Sequence, residues 1–307
     1  MKGLHPELAE IFNRSLKNAR TFHELIANRT FTHFSEQNFR TENCLVQEMM
    51  INNVRVICLK PKQAAQNMPC FVWFHGGGMV FGNPDDSIPY VIDFVHNFQA
   101  VVFIPQYRLA PEHPYPAALE DSYETLTWIY RHANALNIDP NKIIVSGGSA
   151  GGNLALAVAL KARDEKGPQI AGILPLYPML DAKERPFHEK FASPAIWNNE
   201  KNRHSWDAYL GNMKIIPPYA SPLYANVERL PPIYTFIGTH DLFYEEVYEF
   251  VNKLRQAHID VQFDIYKGCI HGFDLEEIPI AREAKKRLLY VTAKLLNGHT
   301  GFGDLPD

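Results

Sequence analysis

Apolar positions along the chain fall into short uninterrupted runs and longer stretches with helical spacing. Short runs are typical of strands buried on both faces of a sheet, and helical spacing is typical of helices that bury one side. Strands are predicted at residues 45–51, 54–59, 70–74, 100–104, 143–145, 170–177, 232–237 and 261–266. Helices are predicted at residues 6–28, 86–99, 116–135, 150–162, 242–258 and 279–296. After an opening hairpin, strands alternate with helices, which predicts an α/β fold with a mostly parallel eight-stranded sheet and helices on both faces.

Residues 181–218 break this alternation, because they carry large aromatic side chains among polar residues without a clear regular element. A connection of this length inside a compact domain is usually functional. We therefore expect one catalytic domain over residues 1–307, with a helical cap formed by about residues 1–40 and 181–218. The alternative is a surface insertion with its own small core. The polar residues after Leu296 are expected to form a frayed tail.

Composition and charge narrow the class of protein further. The chain has 307 residues, of which 46% are hydrophobic, and its formal net charge of −4 comes without a basic run, so no nucleic acid is expected as a partner. No apolar run is long enough to span a bilayer, and the first residues lack a signal peptide, so we expect a soluble, cytoplasmic protein. The four cysteines lack C-x-x-C spacing and are expected to be buried, reduced thiols.

A glycine-flanked serine follows the fifth predicted strand. Residues 147–151 read GGSAG, which fits G-x-S-x-G between a strand and a helix, the arrangement of a nucleophile elbow. Ser149 would occupy a strained turn, and its neighbours must lack bulk. On its own the motif is weak, because it also fits an ordinary strand-to-helix turn. A phosphate-binding loop is disfavoured, since no G-K-[ST] follows.

Three further polar positions follow predicted strands, at the edge where parallel strands bring their carboxyl ends together. His75 opens a run of three glycines, whose backbone N–H groups can turn toward one point or form a flexible turn. His271 is the best candidate for the base that a serine nucleophile needs, and Asp241 for the acid that orients it. Asp241 alone also fits an N-cap of the next helix. The weaker competitors are His240 and His258 for the base, and Asp264 and Asp274 for the acid.

Residues 107–121 read YRLAPEHPYPAALED, where three prolines exclude regular structure until a helix begins near Pro116. Arg108, Glu112 and Asp121 are predicted to form an ion-paired scaffold behind the site rather than to take part in catalysis.

Taken together, these stretches resemble the hormone-sensitive-lipase-like family of α/β-hydrolases, which includes the bacterial family IV esterases. The resemblance rests on HGGG at 75–78, residues 107–121, GGSAGG at 147–152, SPLYA at 221–225, Asp241 and HGF at 271–273. It implies a nucleophile at Ser149, a base at His271 and an orienting acid at Asp241. It also implies oxyanion-hole donors from the backbone N–H groups of Gly76, Gly77 and Ala150, and no metal or organic cofactor.

Two positions depart from the pattern of that family. Gly148 stands where the family usually has aspartate or threonine, so any hydrogen bond from that side chain is missing here. Glu245 stands where aspartate is more frequent. The first departure puts the level of activity in doubt, whereas the geometry of the nucleophile is not threatened, because glycine only relaxes the turn.

The resemblance implies a carboxylesterase that acts on short- to medium-chain acyl esters of small molecules through an acyl-enzyme. An amidase, deacetylase or lactonase on the same machinery, a ligand-binding receptor and an inactive scaffold remain alternatives. A homodimer through residues 261–266 at the sheet edge is a further hypothesis, against which the charges of Asp260 and Asp264 argue.

Overall fold

The structure is a computed structural model, and it describes residues 3–17, 21–27, 29, 43–63, 65–183 and 197–298. The predicted cap therefore lies partly outside the described residues, at 1–2, 18–20, 28, 30–40 and 184–196. Most of the predicted tail, residues 299–307, also lies outside them.

Eight strands form one mixed sheet, which confirms the predicted fold class. They are β1 (Cys44–Ile51), β2 (Val54–Pro61), β3 (Met68–Phe74), β4 (Val101–Pro105), β5 (Ile138–Gly148), β6 (Gly172–Leu176), β7 (Ile233–Gly238) and β8 (Val261–Tyr266). Their order across the sheet is β1-β2-β4-β3-β5-β6-β7-β8. The pairs β1–β2 and β2–β4 are antiparallel and the others are parallel. The parallel strands are buried on both faces, except for β8 at the edge.

The described helices are α1 (Ala9–Lys17), α2 (Phe22–Ala27), α3 (Ile88–Phe98), α4 (Ala117–Arg131), α5 (Ala150–Asp164), α6 (Asn199–Leu210), α7 (Tyr244–Gln256) and α8 (Pro279–Leu296). Among them, α3, α4, α5, α7 and α8 correspond to predicted helices with the same or shifted ends, whereas α1 and α2 divide one predicted helix and α6 lies in the segment for which no helix bounds were predicted. Helix α5 is buried along most of its length, and its alanines and glycines let it approach the sheet closely. This places the residue before α5, Ser149, at the centre of the carboxyl edge of the sheet.

The single helix predicted at residues 6–28 is wrong. A 3-10 turn at Pro6–Leu8 leads into α1, and α2 begins anew at Phe22. The backbone N–H of Thr21 donates to the carboxylate of Glu24 at 2.7 Å, and the Thr21 hydroxyl accepts from the Glu24 N–H at 3.2 Å. This reciprocal capping box starts a separate helix, a signal that apolar spacing alone does not reveal.

Helices α2 and α6 pack against each other, above the loop that follows β3. Phe22 and His204 bring their ring centroids to 5.1 Å. Ser205 of α6 and Trp197, which precedes the helix, occupy the space that a side chain on Gly78 would need. The N-terminal segment and the segment after β6 therefore meet over the glycine run of residues 76–78.

All four cysteines are free and buried, as predicted. Burial raises the pKa of Cys58 to about 12, so this thiol stays protonated at neutral pH. None of the described helices combines the length and apolar character that crossing a membrane requires. Within the described ranges, no three His, Cys, Asp or Glu side chains are grouped so as to hold a metal ion.

Candidate active site

Ser149 lies in a strained turn between β5 and α5. Its backbone has φ of 58° and ψ of −119°, a conformation that residues other than glycine rarely adopt. Gly147 precedes it by two positions, and a Cβ there would lie 2.6 Å from the backbone of Gly151. A Cβ on Gly151 would in turn collide with the backbone of Phe74 in β3. The glycines of the motif are therefore required by the close approach of β3, β5 and α5.

The side chains of Ser149, His271 and Asp241 form one hydrogen-bonded chain. The Ser149 Oγ lies 2.9 Å from Nε2 of His271, and Nδ1 of His271 lies 2.8 Å from Oδ2 of Asp241. Since a carboxylate oxygen can only accept, Nδ1 carries the imidazole proton and Nε2 is free to accept the serine proton. All three side chains are buried, so water competes little for these bonds.

Asp241 and His271 are held from several sides. The other carboxylate oxygen of Asp241, Oδ1, accepts from the backbone N–H of Phe243 at 2.9 Å. The rings of Phe243 and Tyr177 meet the imidazole of His271 edge-on, with centroid distances of 5.0 and 5.1 Å. These contacts leave the imidazole little freedom to rotate away from Ser149.

The glycine run after β3 lies against the serine turn. A Cβ on Gly76 would stand 3.6 Å from the Cβ of Ser149, so the two loops touch. Gly77 adopts φ of +118°, which favours glycine, and its carbonyl accepts from Val80 and Phe81 at 3.0 Å. In the described part of the chain, neither the Gly77 N–H nor the Ala150 N–H has a backbone acceptor. Ala150 opens α5, where N–H groups have no partner within the helix.

The side chain of His75 supports the backbone of the glycine run at residues 76–78. Burial lowers the pKa of His75 to about 4, so the imidazole is neutral at physiological pH. Its Nδ1–H donates to the carbonyl of Gly76 at 2.8 Å, and its ring stacks on Tyr107 at 4.1 Å. A peptide carbonyl and the following N–H point in opposite directions. Holding the Gly76 carbonyl toward His75 therefore turns the Gly77 N–H toward the opposite side of that peptide.

The predicted scaffold of Arg108, Glu112 and Asp121 is correct for one pair only. The guanidinium of Arg108 binds Asp121 through Nε and Nη2 at 2.8–3.0 Å, and Asp121 also accepts the Arg108 backbone N–H at 2.8 Å. Glu112 instead pairs with Arg29 at 2.6 Å. The same segment contains cis peptide bonds before Pro111 and Pro116.

The competing candidates lie away from the serine hydroxyl. His240 is buried beside Thr239 and Gly3, and His258 follows the end of α7. Asp264 binds Arg287 and Tyr234 at 3.0 Å each, in β8. Asp274 is fully buried and follows His271 by three residues.

The two departures from the family pattern have different surroundings. A side chain on Gly148 would meet the hydroxyl of Tyr177, because an added Cβ would stand 2.8 Å from that oxygen. Glu245 is exposed in the first turn of α7, whereas its neighbour Glu246 is buried and accepts the Leu180 N–H at 2.7 Å.

Tyr177 is a site residue that the sequence analysis does not predict. Its position directly after β6, at the same sheet edge as Ser149, is the signal that could have identified it.

Similarity to known proteins extends over most of the chain. A family model described as alpha/beta hydrolase fold matches residues 71–275, more than half of the chain. Carboxylesterase NlhH of Mycobacterium tuberculosis is 33% identical over 252 residues, which cover 77% of both proteins. Esterase LipI of the same organism is 32% identical over 246 residues, covering 78% of this chain and 76% of the relative. Among solved structures, a bacterial heroin esterase has a TM-score of 0.84 at 27% identity, covering 96% of this chain and 98% of the other.

Proposed function

Because the chain belongs to the hormone-sensitive-lipase-like family of α/β-hydrolases, we propose that it is a carboxylesterase that hydrolyses short- to medium-chain acyl esters. The observation that carries this proposal is the hydrogen-bonded chain from Ser149 through His271 to Asp241. The names of the relatives, carboxylesterase and esterase, support the same class of substrate.

The reaction proceeds in two acyl-transfer steps. His271 takes the proton of Ser149 as Oγ attacks the ester carbonyl, and it returns a proton to the departing alcohol. Asp241 keeps Nδ1 protonated and stabilises the imidazolium that forms. Water then attacks the acyl-enzyme, with His271 again as the base, and releases the acid.

The negative charge on the attacked carbonyl oxygen is stabilised by N–H groups of Gly76, Gly77 and Ala150. Loss of a single donor in such a site costs about 3–4 kcal/mol of transition-state stabilisation. The support for these donors is the contact of the Gly76 loop with the serine turn and the backbone N–H groups of Gly77 and Ala150, which have no backbone acceptor among the described residues.

The segments before β1 and after β6 form the cap of this single catalytic domain, over about residues 1–40 and 181–218. This proposal is supported by Trp197 and by Ser205 of α6, which lie against Gly78, and by the ring centroids of Trp197 and Phe81, which are 6.1 Å apart. An aromatic cover of this kind favours neutral, apolar acyl and alcohol groups.

The proposal is tested with p-nitrophenyl esters from acetyl to dodecanoyl. We expect hydrolysis that is fastest for short to medium chains and is abolished by Ser149→Ala. Equal activity in the wild type and Ser149→Ala would contradict the assignment. Amide and lactone substrates in the same panel separate this function from an amidase, a deacetylase or a lactonase.

We further propose a cytoplasmic location, which is supported by the four unpaired cysteines.

We also propose a homodimer through β8. That strand is at one edge of the sheet, and Ile265 is 43% exposed there. The charge of Asp264 is partnered by Arg287, so it opposes edge pairing less than the sequence indicates. Sedimentation that gives only monomer at micromolar concentration would exclude the dimer.

A further inference from the structure

Tyr177 combines a strained backbone with a buried side chain. Its φ is +36°, a value that bulky residues avoid, and it lies directly after β6 at the edge that carries Ser149. Its N–H donates to the carbonyl of Phe236 at 3.0 Å, which ties this backbone to β7. Backbone strain that the surroundings maintain is concentrated at functional sites. A bulky residue held in this way therefore calls for a functional explanation.

The side chain of Tyr177 joins the two segments that must meet for catalysis. Its hydroxyl lies beside the serine turn, since an added Cβ on Gly148 would stand 2.8 Å from it. Its ring meets the imidazole of His271 at 5.1 Å and an interplanar angle of 76°. The Tyr177 side chain thus lies between the residue before the nucleophile and the ring that receives its proton.

Asp274 lies close to the Tyr177 hydroxyl and follows His271 by three residues. It is fully buried and forms no ion pair with any described residue. The hydroxyls of Tyr90 and Tyr177 face it closely enough to counter the effect of burial, which raises the pKa of the Asp274 carboxyl. Neither contact meets standard hydrogen-bond geometry in the described residues. A buried carboxyl without an ion pair is unfavourable, even though the charge of Lys285 acts from a distance to lower its pKa, so its presence beside the site indicates a role.

We propose that Tyr177 is a positioning residue that holds the imidazole of His271 against Ser149, and that Asp274 anchors the hydroxyl of Tyr177. This inference rests on the proposed function of the same site and adds two residues to it.

The physical reason is that proton transfer tolerates only small displacements of the donor and acceptor atoms. The imidazole must keep Nε2 within hydrogen-bond distance of Oγ while Nδ1 stays on Asp241. Burial and the charges of Asp274 and Asp241 raise the pKa of the Tyr177 hydroxyl well above its usual value, so it remains a donor. We expect the attraction between this hydroxyl and Asp274 to restrain the ring of Tyr177, which in turn limits the tilt of His271.

The test compares Tyr177→Phe, Asp274→Asn and the double variant with the wild type. The matched control is Tyr234→Phe, because the Tyr234 hydroxyl also serves a carboxylate, that of Asp264 at 3.0 Å, near the opposite end of the strands. Two rates are measured for each protein, kcat and KM on p-nitrophenyl butyrate and the rate at which a fluorophosphonate probe labels Ser149. Melting temperatures are recorded for all variants.

We expect Tyr177→Phe and Asp274→Asn each to lower kcat and the labelling rate by roughly 10-fold, with KM within about twofold of the wild type. The double variant should be no slower than the slower single variant, because both changes interrupt one chain of contacts. Tyr234→Phe should keep both rates.

Wild-type rates in Tyr177→Phe, or losses that multiply in the double variant, would overturn the inference while leaving the esterase assignment intact. If Asp274→Asn does not fold, the rates of Tyr177→Phe alone decide. A wild-type protein that neither hydrolyses esters nor reacts with the probe would refute the proposed function and the inference with it.

Discussion

Single residues at the site are explained by how closely β3, β5 and α5 approach one another. Gly147 and Gly151 lack side chains because backbone atoms occupy the space, and Ser149 takes a strained φ of 58° for the same reason. The sequence predicts these residues because the G-x-S-x-G motif has glycine at the positions where backbone atoms leave no space for a side chain. Tyr177 could not be predicted as a partner of His271, since their contact depends on how two distant loops pack.

At the scale of single residues, His75 allows a direct test of the proposed oxyanion-hole donors at Gly76 and Gly77. His75→Phe keeps a ring to stack on Tyr107 but removes the donor to the Gly76 carbonyl. We expect a loss of roughly 10- to 100-fold in kcat with little change in KM, because the misaligned N–H acts only in the transition state.

His75→Asn is the matched variant, since its amide nitrogen can replace Nδ1 as the donor to Gly76. It should recover part of the lost kcat in the same assay. A His75→Phe protein with wild-type kcat would show that this hydrogen bond does not set the position of the Gly77 N–H.

Elements were predicted well where apolar spacing decides and less well where side chains set the ends. The hairpin at Asn52 and Asn53 and helix α8 lie where the pattern places them. The helix predicted at residues 6–28 is divided because Thr21 and Glu24 cap a new one. The strand order, with β4 between β2 and β3, could not be derived from alternation alone, because strands that follow one another need not be neighbours.

The segment before α4 provides a prediction at the scale of elements. Asp121→Asn removes the charge of a buried carboxylate and thereby weakens its paired hydrogen bonds with Arg108. We expect a decrease of about 1–3 kcal/mol in the free energy of unfolding, measured with denaturant. The control is Glu276→Gln, which breaks the exposed pair with Arg14 at 3.2 Å and should cost less than about 1 kcal/mol. Equal costs for the two variants would contradict a scaffold role.

At the scale of the whole molecule, the fold brings four polar residues from separate parts of the chain to one edge of a buried sheet, namely His75, Ser149, Asp241 and His271. Alternation of strands and helices predicts that edge, and the spacing of the motifs predicts which residues reach it. The sequence predicts the proposed cap only as a region, because the packing of Trp197 and α6 on Gly78 does not follow from a repeated pattern.

Burial of a neutral histidine should make the folded protein sensitive to acid. His75 has its pKa lowered to about 4 in the folded state against 6.5 when unfolded, so the unfolded chain binds more protons between these values. Stability should therefore fall as the pH decreases from about 6.5 to 4, by about 3 kcal/mol from this group, and the contribution should level off below pH 4.

The corresponding measurement is the free energy of unfolding of the wild type and His75→Asn across this pH range. The variant lacks the titrating group, so its stability should fall less steeply than that of the wild type. Parallel curves for the two proteins would show that His75 does not contribute to the acid sensitivity.

The central claim is that Ser149 is a nucleophile activated by His271. Reaction with a fluorophosphonate probe, followed by peptide mass spectrometry, tests it most directly. We predict one adduct on Ser149 in the wild type, none in Ser149→Ala, and labelling slowed by at least about 1000-fold in His271→Ala. An adduct on another residue, or labelling of Ser149 at the wild-type rate without His271, would contradict it.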